Sequence, residues 1–243
     1  MRILIAPDKF KGSLGAEAVA QQIATGLRAV LPEAILELMP IADGGEGTAE
    51  VICRARQGDW ITCLAQDALG RVQTARYAWI ASSNQAVMDM SATAGLSQLA
   101  HGENQIMQAS TFGVGEMLLH AVAQQVSEVV IGLGGSATND GGFGLARALG
   151  FRFLAEDQRE LFDLSSLPSL RRIVRPNDLA LPRLIAACDV RNVLLGADGA
   201  THALAAQKGA TAAEVKILEH TLARLAEVAT ETFGRDDSAL PGA

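Results

Sequence analysis

Aromatic residues are scarce in this 243-residue chain, with seven phenylalanines, two tryptophans and one tyrosine against 24 glycines. Elements therefore have to pack through small side chains and close backbone approach. Basic charge is also short: 20 Lys and Arg face 27 Asp and Glu, for a net charge of −7. That gives no reason to expect the basic face on which nucleic-acid binding rests, and leaves room for a local Mg-nucleotide site. Cysteine occurs three times, at Cys53, Cys63 and Cys188, never as CxxC, and the odd count fits no disulfide framework. The expected setting is reducing and cytoplasmic. Cys188 follows the apolar run RLIAA and reads as a small buried residue. No uninterrupted apolar run reaches the roughly 18 residues a membrane span needs, and the first ten residues, MRILIAPDKF, do not read as a signal peptide. There is no GxxxxGK[ST] string, no GxSxG elbow, and no metal-ligand spacing among His101, His120, His202 and His220.

What is present is a rhythm. Residues 2–7 (RILIAP) read as a buried strand, and residues 14–31 as a helix with Val19, Ile23, Leu27 and Val30 at helical spacing and Ser13 as its cap. A second strand (AILELMPIA) and a short helix closed by Gly58 follow, the β-α-β-α order of a parallel sheet. From Asp59 to Met90 strand-like runs succeed one another without a helix, which predicts an antiparallel meander. Helix 111–126, strand 128–133, a short helix ending at Gly150, strands FRFLAED and RLIAACDV, and a long helix over 211–234 with Thr211 as cap complete the reading.

Four polar loops each follow a predicted strand: PDKFKGS, ADGGEGT, GGSATNDGG and CDVRN. Ligands in open α/β sheets sit at the carboxyl ends of strands. Asp43 and Glu46 flank a double-glycine turn before a helix start, where free N–H groups favour an anion. Lys9 and Lys11 precede a helix N-terminus, where a lysine disfavours the dipole and is suited to reaching a phosphate or carboxylate, or else is a solvated surface cation. Gly132–Ala137 matches the dinucleotide fingerprint G-x-G-x-x-[GA], with Glu156 and Asp157 about 20 residues on. Asn139-Asp140-Gly141-Gly142 would then fill the first turns of the helix that fingerprint requires, at about 1 kcal/mol for each interior glycine. The loop is expected instead to run to about Gly141 and to suit a phosphorylated or hydroxylated ligand, with Asp140 as a base or Mg²⁺ orienter.

The strings IAPDKFKGSL, IADGGEGT, TFGVGE, IGLGGSATNDGG, ACDV and QKGA, in this order over residues 2–243, resemble the bacterial glycerate kinases (glycerate 2-kinase, class II). The resemblance implies an α/β fold of two domains. The first is a parallel flavodoxin- or Rossmann-like sheet begun by residues 1–60; the second is a mixed-sheet domain over 61–243. It implies ATP and Mg²⁺ as cofactors and D-glycerate as substrate, phosphorylated to 2-phosphoglycerate; a homo-oligomer is compatible with it. Catalytic roles would fall to Lys11, Asp43, Asp140 and Asp189. Substrate and phosphate contacts would fall to Asp8, Ser13, Gly44, Gly45, Glu46, Gly134, Gly135, Ser136, Thr138, Asn139 and Lys208. Asp43, Glu46 and Asp189 would hold Mg²⁺, and which acid takes the hydroxyl proton stays open.

Three departures stand out: Lys9 where the family usually has the serine of PDSFKGS, LAAQKGA for FGPQKGA, and RNV for DNP after CDV. The family pattern also continues beyond PGA, so the first domain is expected to be incomplete, with an exposed sheet edge and apolar face. Two further readings follow: a non-catalytic remnant or half of a split enzyme, and an NAD-dependent oxidoreductase resting on the glycine fingerprint.

Overall fold

A computed structural model describes residues 1–100, 102–103 and 105–242; His101 and Ala243 lie outside them. Strand β1 (Arg2–Ile5) pairs in parallel with β2 (Ile35–Leu38), joined by helix α1 (Ala16–Val30). Helix α1 buries Val19, Ala20 and Ala24, and Ala20 and Ala24 pack with Ile5 and the partly buried Ile3 and Leu36. Alanines at the contact let helix and strands approach closely. The cap of α1 is Gly15 and not Ser13. Ser13 is used earlier, in a turn where its N–H donates to the Phe10 carbonyl at 2.9 Å. The other face of this two-stranded sheet carries Leu4 and Ile35, 58% and 59% exposed. Parallel sheets ordinarily have both faces covered.

A second sheet has five strands in the order β3 (Asp59–Gln66), β4 (Val72–Ile80), β5 (Gln85–Asp89), β6 (Glu128–Gly132), β9 (Arg183–Ala187). The meander expected from Asp59 to Met90 forms the antiparallel half; β5, β6 and β9 run parallel. The register sets Asp89, Gly132 and Ala187 side by side at the carboxyl ends of the parallel strands. Helix α2 (Thr48–Ala55) packs on this sheet, its Ala49 and Cys53 clustering with Ala78, Ile80 and Val87. The chain that links the two sheets is thereby tied to the second. Helix α4 (Phe112–Ala123) covers the opposite side, with Val114, Met117 and Leu118 fully buried against Tyr77, Met88 and Val129.

A short helix α3 (Ser91–Ala94) follows β5, and α5 (Phe143–Ala148) follows the long glycine loop. The strand expected at FRFLAED does not join the large sheet. It shortens to β7 (Arg152–Leu154) and pairs antiparallel with β8 (Arg172–Val174). This hairpin and α5 pack Phe143, Phe153, Leu167 and Leu170 against Leu218, Leu222 and Val228 of α7 (Ala212–Phe233), after α6 (Ala200–Leu204). Helix α7 opens with a capping box, in which the Thr211 side chain accepts from the Glu214 N–H while Glu214 accepts from the Thr211 N–H. It closes on Gly234 at φ 71°. Cys188 is exposed, contrary to its apolar context, because it lies beyond the last paired residue of β9; Cys53 and Cys63 are buried. Among the described residues no helix is long and apolar enough to cross a membrane.

Candidate functional site

The loops after β1, β2, β5, β6 and β9 converge. The Ile41 N–H donates to the Pro7 carbonyl at 3.0 Å, which ties the second loop to the first. The Gly134 N–H donates to the Gly44 carbonyl at 3.0 Å, and the Leu133 N–H to that of Ala187 at 3.0 Å. Glycine is required where these backbones meet. A Cβ on Gly44, which sits at φ +92°, would lie 2.6 Å from the Ala187 carbonyl oxygen, and one on Gly134 would lie 2.6 Å from the Gly45 Cα.

Electrostatics reinforce the junction. Lys9 Nζ lies 3.0 Å from Asp43 Oδ1 and 3.5 Å from Asp8 Oδ1. Asp43 Oδ1 also accepts from the Gly45 N–H at 2.9 Å. Burial pushes the Asp43 carboxyl up, but the Lys9 ammonium and the Gly45 N–H outweigh it and hold the group below its ordinary value. Glu46 is exposed and accepts from Ser97 Oγ at 3.0 Å.

Asp89 was not singled out by the sequence. It is 9% exposed at the end of β5 and accepts from the Gly47 and Ala49 N–H groups at 2.9 and 3.0 Å, capping α2 from another strand. Burial raises its pKa, the two N–H groups lower it less, and the Glu46 charge adds to the rise. The available signal was an aspartate ending the otherwise apolar strand AVMD, where a charge stays only if donors meet it.

The loop from Leu133 to Gly142 is long, with its helix starting at Phe143 after Gly142 at φ 77°. The glycine fingerprint therefore does not open a helix, which removes the geometry on which dinucleotide binding rests. The Gly135 carbonyl accepts from the Leu96 N–H just after α3, and the Ala137 N–H donates to the Ala94 carbonyl at the end of α3. Lys208 Nζ reaches across the loop to Ser136 Oγ at 3.0 Å and the Thr138 carbonyl at 2.6 Å. Asn139 is buried and donates to Thr201 Oγ1 at 3.1 Å. Asp140 is 2% exposed, and both its oxygens are engaged: Oδ2 by the Thr111 N–H, the Thr111 hydroxyl and the Gly144 N–H, and Oδ1 by the Gly142 N–H.

A cleft of about 1120 Å³ opens beside this junction, lined in part by Asp8, Lys9, Lys11, Ser13, Glu46 and Gly47. Lys11 and Ser13 are exposed along it. Asp140 instead lines a separate cavity of about 360 Å³. Asp189 is exposed just past Ala187 and Cys188, which abut Gly44. The structure thus gathers Asp8, Asp43, Gly44, Gly45, Glu46, Gly134 and Gly135, with Ser136, Thr138 and Lys208 further along the same loop. It does not gather Asp43, Glu46 and Asp189 into a metal centre: among the described residues no three His, Cys, Asp or Glu side chains are placed to hold a metal ion. The carboxylates present do not fit a preformed Mg²⁺ site, because Asp43 is already paired with a lysine.

Lys208 carries a pH prediction. Burial pushes its amine down to about 8, with the Asp140 charge opposing. Between about 8 and the ordinary 10.5 the folded chain binds fewer protons there than the unfolded chain, so stability rises with pH over that interval. The ammonium that spans the loop is lost as pH rises through about 8. Reductive ¹³C-methylation of the lysines should show one NMR resonance titrating near 8 that disappears in Lys208→Met. A Lys208 signal that moves only near 10.5 would contradict it.

Polar loops gathered at the carboxyl ends of parallel strands, around a cleft lined with lysines and carboxylates, define an α/β protein built to hold a small polar ligand. Its loops, in sequence and in placement, belong to one group. The chain is a member of the glycerate kinase family, whose model matches residues 3–243. It is 37% identical to a glycerate kinase of Halalkalibacterium halodurans over 99% of this chain and 64% of that protein. It is 36% identical to the glycerate 2-kinase of Escherichia coli K12 over all of this chain and 65% of that one. A solved Salmonella typhimurium LT2 structure, assigned as glycerate kinase 2, superposes with a TM-score of 0.83 at 34% identity, covering all of this chain and 66% of the other. The chain spans just under two thirds of the length of these relatives.

Proposed function

We propose that this chain holds D-glycerate and ATP and transfers the γ-phosphoryl group to the glycerate 2-hydroxyl, giving 2-phosphoglycerate. The observation that carries the reading is the Gly44–Gly134 junction, which fixes the Gly134–Asn139 loop beside the lysine-bearing cleft. Phosphoryl transfer depends mainly on positioning and on neutralising charge spread over the phosphoryl oxygens. Backbone N–H groups and hydroxyls at Gly134, Gly135, Ser136 and Thr138 supply donors for phosphate oxygens. Lys208 stiffens that loop from behind, and Lys11 and Ser13 reach the glycerate carboxylate or a phosphate from the cleft's other side. Asp43 is held ionised and orients Lys9 and Gly45. Asp189, exposed beside the junction, takes the hydroxyl proton. Asp140 acts through the loop, since its lone pairs are engaged. Any magnesium arrives as part of the Mg-ATP substrate.

The test is phosphorus NMR of this chain with D-glycerate and Mg-ATP. A phosphoglycerate resonance coupled to the C2 methine proton is expected. Absence of product from the folded chain overturns the proposal.

A further inference from the structure

A lysine of the chain itself is placed among the loop carboxylates. Lys9 stands between two aspartates from different strand ends, Asp8 after β1 and Asp43 after β2, with a side chain only 11% exposed. Its charge also acts favourably on Asp89, which the nearby Glu46 charge disfavours. Burial pulls the Lys9 amine down, and the Asp43 and Asp8 carboxylates more than restore it, so it stays charged. The aliphatic end of the side chain lies against the backbone of Gly45, where a Cβ would come 2.9 Å from Nζ; on its other side Gly45 touches Gly134. Lysine, Gly45 and Gly134 therefore form a stack that runs from the first loop to the long glycine loop.

We infer that the Lys9 ammonium is the resident counter-cation of the Asp8–Asp43 pair, keeping a divalent ion out of it and positioning the DGGEGT loop. A magnesium ion demands near-octahedral oxygen ligands at about 2.0–2.1 Å and keeps several of its waters. Here Asp43 Oδ1 already accepts from both Lys9 and Gly45, and the ammonium lies 3.0 Å from Asp43 Oδ1 and 3.5 Å from Asp8 Oδ1, where an ion shared by the two carboxylates would sit. The Lys9 ammonium offsets one of the two negative charges and hydrogen-bonds Asp43 directly, as a compact point charge on a flexible stem. Replacing it by serine, the residue of the PDSFKGS pattern, leaves two carboxylates facing each other without a cation.

The test uses Mn²⁺ alone, with no nucleotide or glycerate. Free Mn²⁺ is followed by electron paramagnetic resonance, and its location by broadening of the Gly45 amide in ¹H–¹⁵N spectra. The wild-type chain and Lys9→Arg, which keeps the charge, should leave the Gly45 amide sharp. Lys9→Ser should gain one site, at least about tenfold tighter than any wild-type binding near Gly45, equivalent to about 1.4 kcal/mol. Lys9→Ser combined with Asp43→Asn should lose it again. Preferential broadening of Gly45 in the wild-type chain would overturn the inference, as would a folded Lys9→Ser that gains no site. If Lys9→Ser does not fold, Lys9→Gln, which removes the charge and keeps most of the side-chain length, takes its place with the same two outcomes. The outcome is independent of turnover, so failure to form phosphoglycerate leaves this result standing and failure here leaves the kinase reading standing.

Discussion

Asp140→Ala should destabilise the chain by about 4 kcal/mol. The carboxylate is 2% exposed and accepts four hydrogen bonds, three of them from backbone N–H groups of Thr111, Gly142 and Gly144. Hydrogen bonds to a charged group contribute about 1.5–3 kcal/mol each, and they are not additive when they share one acceptor. Removing that acceptor leaves the donors at the start of α4 and α5 without a partner, at the desolvation cost of buried polar groups. Both helix starts then lose the anion that faces their free N–H groups. Asp140→Asn keeps the volume but turns an amide toward N–H donors, so it should recover only part of the loss. Chemical denaturation followed by circular dichroism measures both variants. A loss below about 1 kcal/mol for the alanine variant, on the scale of an ordinary neutral hydrogen bond, would show that water replaces the carboxylate and that its holding role is wrong.

Gly134→Ala should lower kcat/KM for phosphoglycerate formation by about a hundredfold while leaving the chain folded. The added Cβ would stand 2.6 Å from the Gly45 Cα, backbone against backbone, so no flexible side chain can yield. Gly134 has no left-handed φ, which makes the substitution a steric probe free of conformational strain. Either the Gly44–Gly134 hydrogen bond breaks or the two loops move apart. A displacement near 1 Å at a positioning loop costs about 10²-fold in rate, whereas overpacking of this kind costs about 1–3 kcal/mol of stability. Steady-state kinetics beside a denaturation curve separate the two effects. Unchanged kinetics in a folded variant would mean that the junction of the second and third loops does not position the phosphoryl groups.

Both expectations concern contacts that no local pattern announces. The spacing of Val19, Leu27 and their neighbours was enough to place α1 to within two residues at its start. Thr211 and Gly234 marked the two ends of α7 because capping chemistry is local. The glycine loop was also legible, since Asn139 to Gly142 cannot begin a helix cheaply and the helix starts at Phe143. Ser13 was misleading as a cap because a tight turn back to Phe10 consumes it. Cys188 misled through its apolar neighbours, since burial depends on what covers a strand end and not on the residues before it. FRFLAED had the composition of a sheet strand, yet its partner is the nearby β8, a choice made by packing against α7.

The sequence by itself determined the element order, the positions of the polar loops at strand ends and the family to which those loops belong. These depend on periodicity, turn chemistry and short strings, all of which act over a few residues. Only the tertiary structure decided which groups meet. It brought Asp89 to the start of α2 across 40 residues and set Lys9 between Asp8 and Asp43. It turned Asp140 inward to four donors and left Asp189 outside. The physical reason is that parallel strand register and close glycine contacts fix distances between loops far apart in the chain. A charge becomes a ligand, a counter-ion or a buried cap according to which donors that register delivers to it.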